Sequence, residues 1–478
     1  MAGTFFGINI AQSGLNAQRQ AMDILGYNVA HANDPTYKRQ RVNMSERAVL
    51  AQSQEASSTG TSAFGAGVGT GGIERIRDAL IENRLRYAMQ KSSQWDFMSG
   101  KMLGLEALIG EPSDTGLQAD LDNFWNSWQR VATSPESIPV RSALLEDAKA
   151  LCARMQYLNS QMRSTVDDLN LSAIDKVGQV NAIGQEIARL NNEISALDSG
   201  QVPVNDLLNR RDALVLELAK LADIQQHGEG KDSFIISIGG RVLVQGSKFN
   251  ALKTTLAPGG NREIEWASDG ARVSLSGGQL SAIRELRDVS LPKYMAALDS
   301  VARHLVTEVN RIHAGDPTAT PPIPAGNTML KDALGNPIPG GNFFDPTKLT
   351  AGSICLSATI VDRPELIAAS ATGGVGDGDV ATAISNVQNT VVSGGLTINQ
   401  LYREMIGDIG ASSAMSQRQA AAHKLVVDQF TMQQQAVSGV SLDEEMTNMI
   451  KFQQAYNASA RVLTAMDELL DVLVGIGR

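Results

Sequence analysis

The apolar positions of this chain fall mostly on a period near 3.5, and the two ends carry the clearest examples. From Ser441 onward, Leu442, Met446, Met449, Gln453, Tyr456, Ala460, Leu463, Asp467, Leu470 and Val474 form one stripe, and no proline interrupts it. A helix is expected there, with Leu442, Met449, Tyr456, Leu463 and Leu470 as its seam. Ser441 and Glu444 have capping-box spacing, and Asp443, Glu444 and Glu445 put negative charge in the first turn. The other end repeats the pattern. Ile8, Leu15, Met22 and Val29 are seven apart, Leu25 lies between them with Ala11 and Gln18, and Asn33-Asp34-Pro35 stops the run. These seams need partners, and each other's company is the simplest solution. Charge leans the same way: Met1–Arg47 has five basic and three acidic residues, net +2, and Ser441–Arg478 has three and six, net −3.

Between the ends, helical periodicity covers Ile76–Ile109, Leu117–Val131, a long stripe from Leu144 to Leu197, and Asp206–Ile224. The period then drops to two. Phe234–Ile238, Gly239-Gly240 and Arg241–Val244 read as a hairpin, with short strands at Glu263–Trp266 and Arg272–Leu275. Helix returns from Gln279 to His313 with a break expected at Pro292, and again from Ala381 to Gln435, where Thr397 and Gln400 make a second capping box. Eight of the fifteen prolines lie between Pro317 and Pro364, so residues 315–380 read as a peripheral, irregular or lightly β insert. Residues 36–42 read as an extended linker and Gln52–Thr70 as a flexible loop.

The expected fold is therefore mainly α with a small inserted β domain: a helical rod or bundle built from both chain ends, with coiled-coil-like terminal helices. Its divisions are 1–50, an axial helix and linker pairing with 439–478; a helical domain in three parts at 51–227, 277–314 and 381–438; the β domain at 228–276; and the insert.

Composition narrows the chemistry. Aromatic residues are 5% and charged residues 19% of 478, which suits long helices. A net charge of −10 argues against nucleic acid as a general partner. No run of eighteen apolar residues offers a membrane span, and no signal peptide is visible at the N-terminus. Cys152 and Cys355 are far apart in sequence and could form one disulfide, though two unpaired buried thiols are the simpler reading, and they lack metal spacing. The five histidines form no metal-binding pattern, and no Gly-x-Ser-x-Gly elbow occurs. The glycines of 65–72 lack the strand and lysine of a phosphate loop. Gly373–Asp379 looks like one copy of a calcium repeat that needs several. No catalytic residue, cofactor or metal ligand is expected.

Several stretches carry a resemblance. Asn28–Arg39 resembles the N-terminal signature of bacterial flagellar axial proteins, departing from it at Tyr27, where a second Asn is usual, and at Thr36, where Gly is usual. Gly67–Asp78, Phe124–Gln129, Asn205–Asp212, Ile238–Val244, Ser276–Leu280 and Ser438–Glu445 follow in an order similar to the hook-associated branch of that family. The resemblance implies an extracellular structural subunit, exported without a cleaved signal, that polymerises through its terminal helices between hook and filament. It also implies its partners: further copies of itself, the hook protein, the next junction protein, and a cytoplasmic export chaperone on the C-terminal helix. The alternatives are a hook or rod subunit of the same family, or a secreted coiled-coil adhesin.

Overall fold

The computed structural model describes residues 3–47, 67–111, 113–198, 204–228 and 233–476. Helix α1 (Gly3–Ala30) is followed by strands β1 (Gln40–Glu46) and β2 (Val68–Arg75), then helices α2 (Ala79–Ile109), α3 (Leu117–Thr133), α4 (Ile138–Asp198) and α5 (Asn205–Leu221). Strands β3 (Ile224–His227), β4 (Ile235–Ile238), β5 (Arg241–Gln245), β6 (Lys248–Phe249), β7 (Leu252–Leu256) and β8 (Arg262–Trp266) come next. Then follow α6 (Gly278–Glu285), α7 (Leu291–His313), β9 (Asn327–Lys331), β10 (Pro337–Pro339), α8 (Asp379–Ser385), β11 (Val391–Ser393), β12 (Leu396–Thr397), α9 (Ile398–Ser438) and α10 (Leu442–Ile476).

The chain divides into two compact units. The first gathers Met1–Gln90, Val180–Ala251 and His423–Arg478; the second gathers Lys91–Gln179 and Leu252–Ala422.

In the first unit, β1 and β2 form an antiparallel hairpin. This corrects the reading of 36–42 as linker and of 68–70 as loop; the rest of that expected loop, residues 52–66, lies outside the described residues. Glycines at 69, 71 and 72 hide the strand from propensity, but one neighbouring glycine is required by space. Gly67 has φ +98, and a Cβ there would collide with the Ser13 hydroxyl of α1. Beyond the hairpin, β3–β4–β5–β6 make a four-stranded antiparallel sheet. Its inward residues Phe234, Ile236, Ile238, Leu243 and Val244 are fully buried. The Arg211 guanidinium lies 3.9 Å from the centre of the Phe234 ring.

The second unit holds β7 and β8, paired only with each other. The expected single β domain at 228–276 is thus two separate pieces, divided after Ala251. Arg272 contributes one isolated bridge to Glu265 instead of opening a strand. The expected break at Pro292 is a five-residue π turn, Leu286–Ser290, linking α6 to α7 without ending the helix. Pro292 follows directly on that turn and, having no amide donor, leaves one intrahelical hydrogen bond of the continuous helix unmade. The Thr397/Gln400 capping box is present, with Thr397 N donating to Gln400 Oε1 at 2.9 Å and Gln400 N to Thr397 Oγ1 at 3.3 Å.

The insert is irregular and lightly β as expected, and its outer turns are exposed at Leu334 and Val375. Its inner part is not peripheral. Phe343, Phe344, Ala351, Ile354, Ile367, Ala368 and Ala369 are fully buried. Phe343 packs 5.1 Å from Trp128 and 5.0 Å from Phe344, ring centre to ring centre. Asn310 of α7 exchanges two 2.9 Å hydrogen bonds with the Phe344 backbone. His313 completes the cluster: its Nε2 accepts from Ala368 N at 2.8 Å, so its Nδ1 carries the proton and donates to Gly341 O at 2.6 Å. Burial lowers the His313 pKa to about 4. Prolines mark this segment as irregular, and irregular backbone was misread as surface backbone.

Candidate functional site: the terminal helix pair

Helices α1 and α10 pack against each other within the first unit, antiparallel and in register. A Cβ on Gly7 would sit 2.9 Å from Met466 Cε, and one on Gly14 would sit 3.3 Å from Ser459 Oγ. Asn28 Nδ2 donates to Glu445 Oε2 at 2.9 Å. Each step of seven or fourteen residues along α1 is therefore matched by an equal step back along α10. The α1 seam consists of small side chains. Ala11, Ala17, Ala21 and Leu25 are buried, with Gly7 and Gly14 between the helices. Missing Cβ atoms let the axes approach closely.

Of the expected α1 seam, Leu25 is buried, whereas Ile8, Leu15, Met22 and Val29 are half-buried flanks. On α10, Met449, Tyr456, Leu463 and Leu470 lie on the contact face, half-buried, together with Phe452, Ser459 and Met466. Leu442 is exposed, and so are Met446, Gln453 and Asp467. The two readings of α10 share every seventh residue and differ by one position between. Phe452 and Met466, large and apolar beside polar Gln453 and Asp467, were the signal for the correct register.

One end of the pair is locked by a buried polar clasp. Asn28 uses its whole side-chain amide: Nδ2 donates to Glu445 and to Gln40 O at 2.9 Å each, and Oδ1 accepts from Tyr37 Oη at 2.7 Å and Gln40 N at 3.0 Å. Glu445 is 0% exposed. Arg39 Nε lies 2.6 Å from its Oε1, an ion-pair contact poorly aimed for a hydrogen bond. Arg39 Nη1 also donates to Glu444 Oε2 at 2.7 Å, so Glu444 serves the clasp rather than the expected capping box with Ser441. A buried carboxylate is tolerable only with such partners. Burial pushes the Tyr37 hydroxyl well above its usual range, with Tyr27, Asp206 and Glu445 adding to the shift.

Other motifs converge on the same place. Asn205 Nδ2 donates to Gln40 Oε1 at 2.9 Å, and Tyr27 Oη donates to Asp206 Oδ2 at 2.6 Å. That bond, followed by burial, pushes the Tyr27 hydroxyl up to about 12. Arg75 reaches Asn209 at 2.9 Å and Asp212 at 2.8 Å. His31 stacks on Tyr37 at 5.0 Å. Asn28, Tyr37, Arg39 and Glu445 lie inside the stretches that carry the resemblance, and Gln40 just beyond one of them in the expected linker, but their separation in sequence conceals that they meet. Beside the clasp lies a groove of about 520 Å³ lined by residues 31–39, Asp212, Leu216 and the turn joining α9 to α10.

Outside its contact with α1, α10 keeps several large apolar side chains wet, interleaved with polar ones. Leu442, Met446, Ile450, Val462, Leu469 and Val472 are each 47–59% exposed. Nothing there resembles a reaction centre. Among the described residues, no group of three His, Cys, Asp or Glu side chains could hold a metal ion, and no helix is long and apolar enough to cross a membrane. The Asp377 carboxylate of the glycine-rich loop accepts from Ser370 Oγ at 2.6 Å and Thr372 N at 2.9 Å. Those bonds hold its pKa far below the usual carboxylate range and occupy it within its own loop.

Comparison with known proteins places these features. Residues 102–321 match the family model described as the flagellar hook-associated protein FlgK helical domain. Residues 433–476 match the flagellar basal body rod FlgEFG protein C-terminal family. Flagellar hook-associated protein 1 of Bacillus subtilis is 28% identical over 525 aligned positions, spanning 100% of this chain and 99% of that protein. Its counterpart in Salmonella typhimurium is 26% identical over 569 positions, spanning 98% and 99%. The solved flagellar hook junction protein FlgK of Burkholderia pseudomallei shares the fold, with a TM-score of 0.64 at 17% identity over 74% of this chain and 100% of that one. With its terminal helix pair, its long helices and full-length relatives of one kind, the chain is similar along its whole length to the flagellar hook-associated protein 1 family of bacterial axial proteins.

Proposed function

We propose that this chain is a structural subunit of the bacterial flagellum at the junction between hook and filament, polymerising through α1 and α10. One observation carries the polymerisation. The α1–α10 pair satisfies its inner seam within one chain yet leaves six large apolar residues of α10 exposed. A second copy of the same pair is the occupant that would bury such residues repeatedly. The full-length similarity to flagellar hook-associated proteins supports the place in the assembly. On this reading the hook protein lies on one side and the next junction protein on the other. A cytoplasmic chaperone covers these α10 residues before export. The role is mechanical, with no reaction to catalyse.

The match of residues 433–476 to rod proteins favours one second reading, a rod or hook subunit. Deleting the gene from its own bacterium separates the two. The junction reading expects finished hooks, no filaments, and unpolymerised filament protein in the medium. Absence of hooks supports the rod or hook reading, and normal filaments overturn both. Antibody labelling of intact cells should mark one point between hook and filament rather than the length of the hook.

A further inference from the structure

The two cysteines, 203 positions apart in sequence, are brought together in the second unit. Cys152, Gln156, Asn159 and Arg163 form one stripe along α4, at helical spacing. The loop at 351–356 runs along that stripe in the opposite direction. A Cβ on Gly352 would lie 2.7 Å from Asn159 Oδ1. One turn nearer the N-terminus, Gln156 Nε2 donates to Ile354 O at 2.7 Å. The next residue of the loop is Cys355, and the next turn of the helix presents Cys152. The loop is held from its other side as well. Ala351 N donates to Asp299 Oδ1 at 2.7 Å, and Asp345 N to Cys355 O at 3.0 Å. Both thiols are unbonded, Cys152 buried and Cys355 half-buried.

We propose that Cys152 and Cys355 are an oxidative modification site, closing to an intrachain disulfide when the folded protein meets a small-molecule disulfide. The half-buried thiol reacts first. The Cys355 thiolate attacks one sulfur of the oxidant, forming a mixed disulfide and expelling a thiolate. Cys152 then loses its proton and attacks the Cys355 sulfur. The Cys152–Cys355 bond forms, the mixed disulfide breaks, and a second thiolate leaves. Two protein thiols are oxidised, the oxidant is reduced to two thiols, and the two protons pass to the departing thiolates. Burial pushes the Cys152 thiol up to about 12, and a negative charge on Cys355 adds to the shift, which requires the two sulfurs to feel each other. A group so protonated is a poor first nucleophile but suits the second, intramolecular step. The bond would staple the core-forming part of the insert to α4 across a long loop, which raises stability mainly by restricting the unfolded chain.

The test uses the full chain, folded and reduced, incubated with oxidised glutathione. Peptide mapping without reductant should find residues 152 and 355 joined, in a monomer lighter by two hydrogens. The melting temperature of the second unit should rise by about 5 °C or more. Cys355→Ser should abolish both changes, and Cys152→Ser should stop at a stable glutathione adduct on Cys355. A stable adduct on Cys355 in the unaltered chain overturns the proposal. So do dimers linked between chains, or thiols that stay unreacted while the unfolded chain reacts fully.

Discussion

The terminal helix pair and the aromatic centre of the second unit bury their side chains to different depths. Around Trp128, Phe343, Phe344 and His313 nothing large is left in contact with water. Along α10 the contact face is only half-buried, and six further large apolar residues of the helix are 47–59% exposed. Full burial of a large apolar side chain is worth about 1.5–3 kcal/mol, and half-burial proportionately less. The aromatic centre is therefore a finished core, and the helix pair is only partly closed; on the proposed reading, neighbouring subunits would complete it. Among the described residues of the pair, Asn28 and Glu445 of the clasp are the polar side chains buried as thoroughly as the second unit's core.

The comparison breaks most visibly if the insert is removed. Replacing residues 315–380 by a short Gly/Ser link should abolish cooperative melting of the second unit, because Phe343 and Phe344 leave with it. Calorimetry showing an intact transition would mean those rings are not part of the core.

A smaller effect of the same kind is expected from acid. His313 is held neutral, with a pKa of about 4 against 6.5 when unfolded. Between those values the unfolded chain binds the extra proton, so stability falls as pH drops through this window and is flat above it. The shift corresponds to about 3 kcal/mol. Denaturant unfolding of the second unit between pH 7 and pH 4 should show this loss, and His313→Gln should remove the slope.

In the helix pair, Asn28→Ala should cost about 2 kcal/mol by leaving buried partners short of a hydrogen bond. Hydrogen exchange should quicken in α1 and α10 and stay unchanged in the second unit. Equal quickening in both units would contradict the division drawn between them.

The smallest effect on folding separates exposed from contacting positions of α10. Leu469→Asp, at an exposed position of α10, should change stability by less than about 0.5 kcal/mol, yet prevent assembly and release filament protein. Leu463→Asp, on the inner face, should loosen the helix pair in the free subunit. Export of each variant is measured alongside, since the same helix would meet the chaperone. A Leu469→Asp protein that is exported and assembles normally would overturn the exposed apolar residues of α10 as the polymerising surface.

Much of this was legible from periodicity. The long stripe of α4, the ends of α2 and α3, the β4–β5 hairpin and the Thr397/Gln400 cap all follow local rules. So did the pairing of the chain ends, though its register did not. Ile8, Leu15, Met22 and Val29 drew attention by size, while the helices meet over Gly7, Gly14 and three alanines. The β1–β2 hairpin was hidden because glycine carries no strand preference. The buried part of the insert was hidden because proline reports conformation and says nothing about depth. The clasp depended on one fold-level fact, that Asn28 and Glu445, 417 positions apart, become neighbours.

That separation has a bearing on timing. Whichever end of the chain is free to fold first, α1 and α10 cannot close on each other until the opposite end is free as well. Bringing together such distant segments also carries a loop-closure cost, which grows slowly but steadily with length. The second unit lacks both terminal segments, and its core can set earlier. The first unit is thus the last to lock. Until it does, the apolar residues of α1 and α10 that meet in the finished pair are without each other.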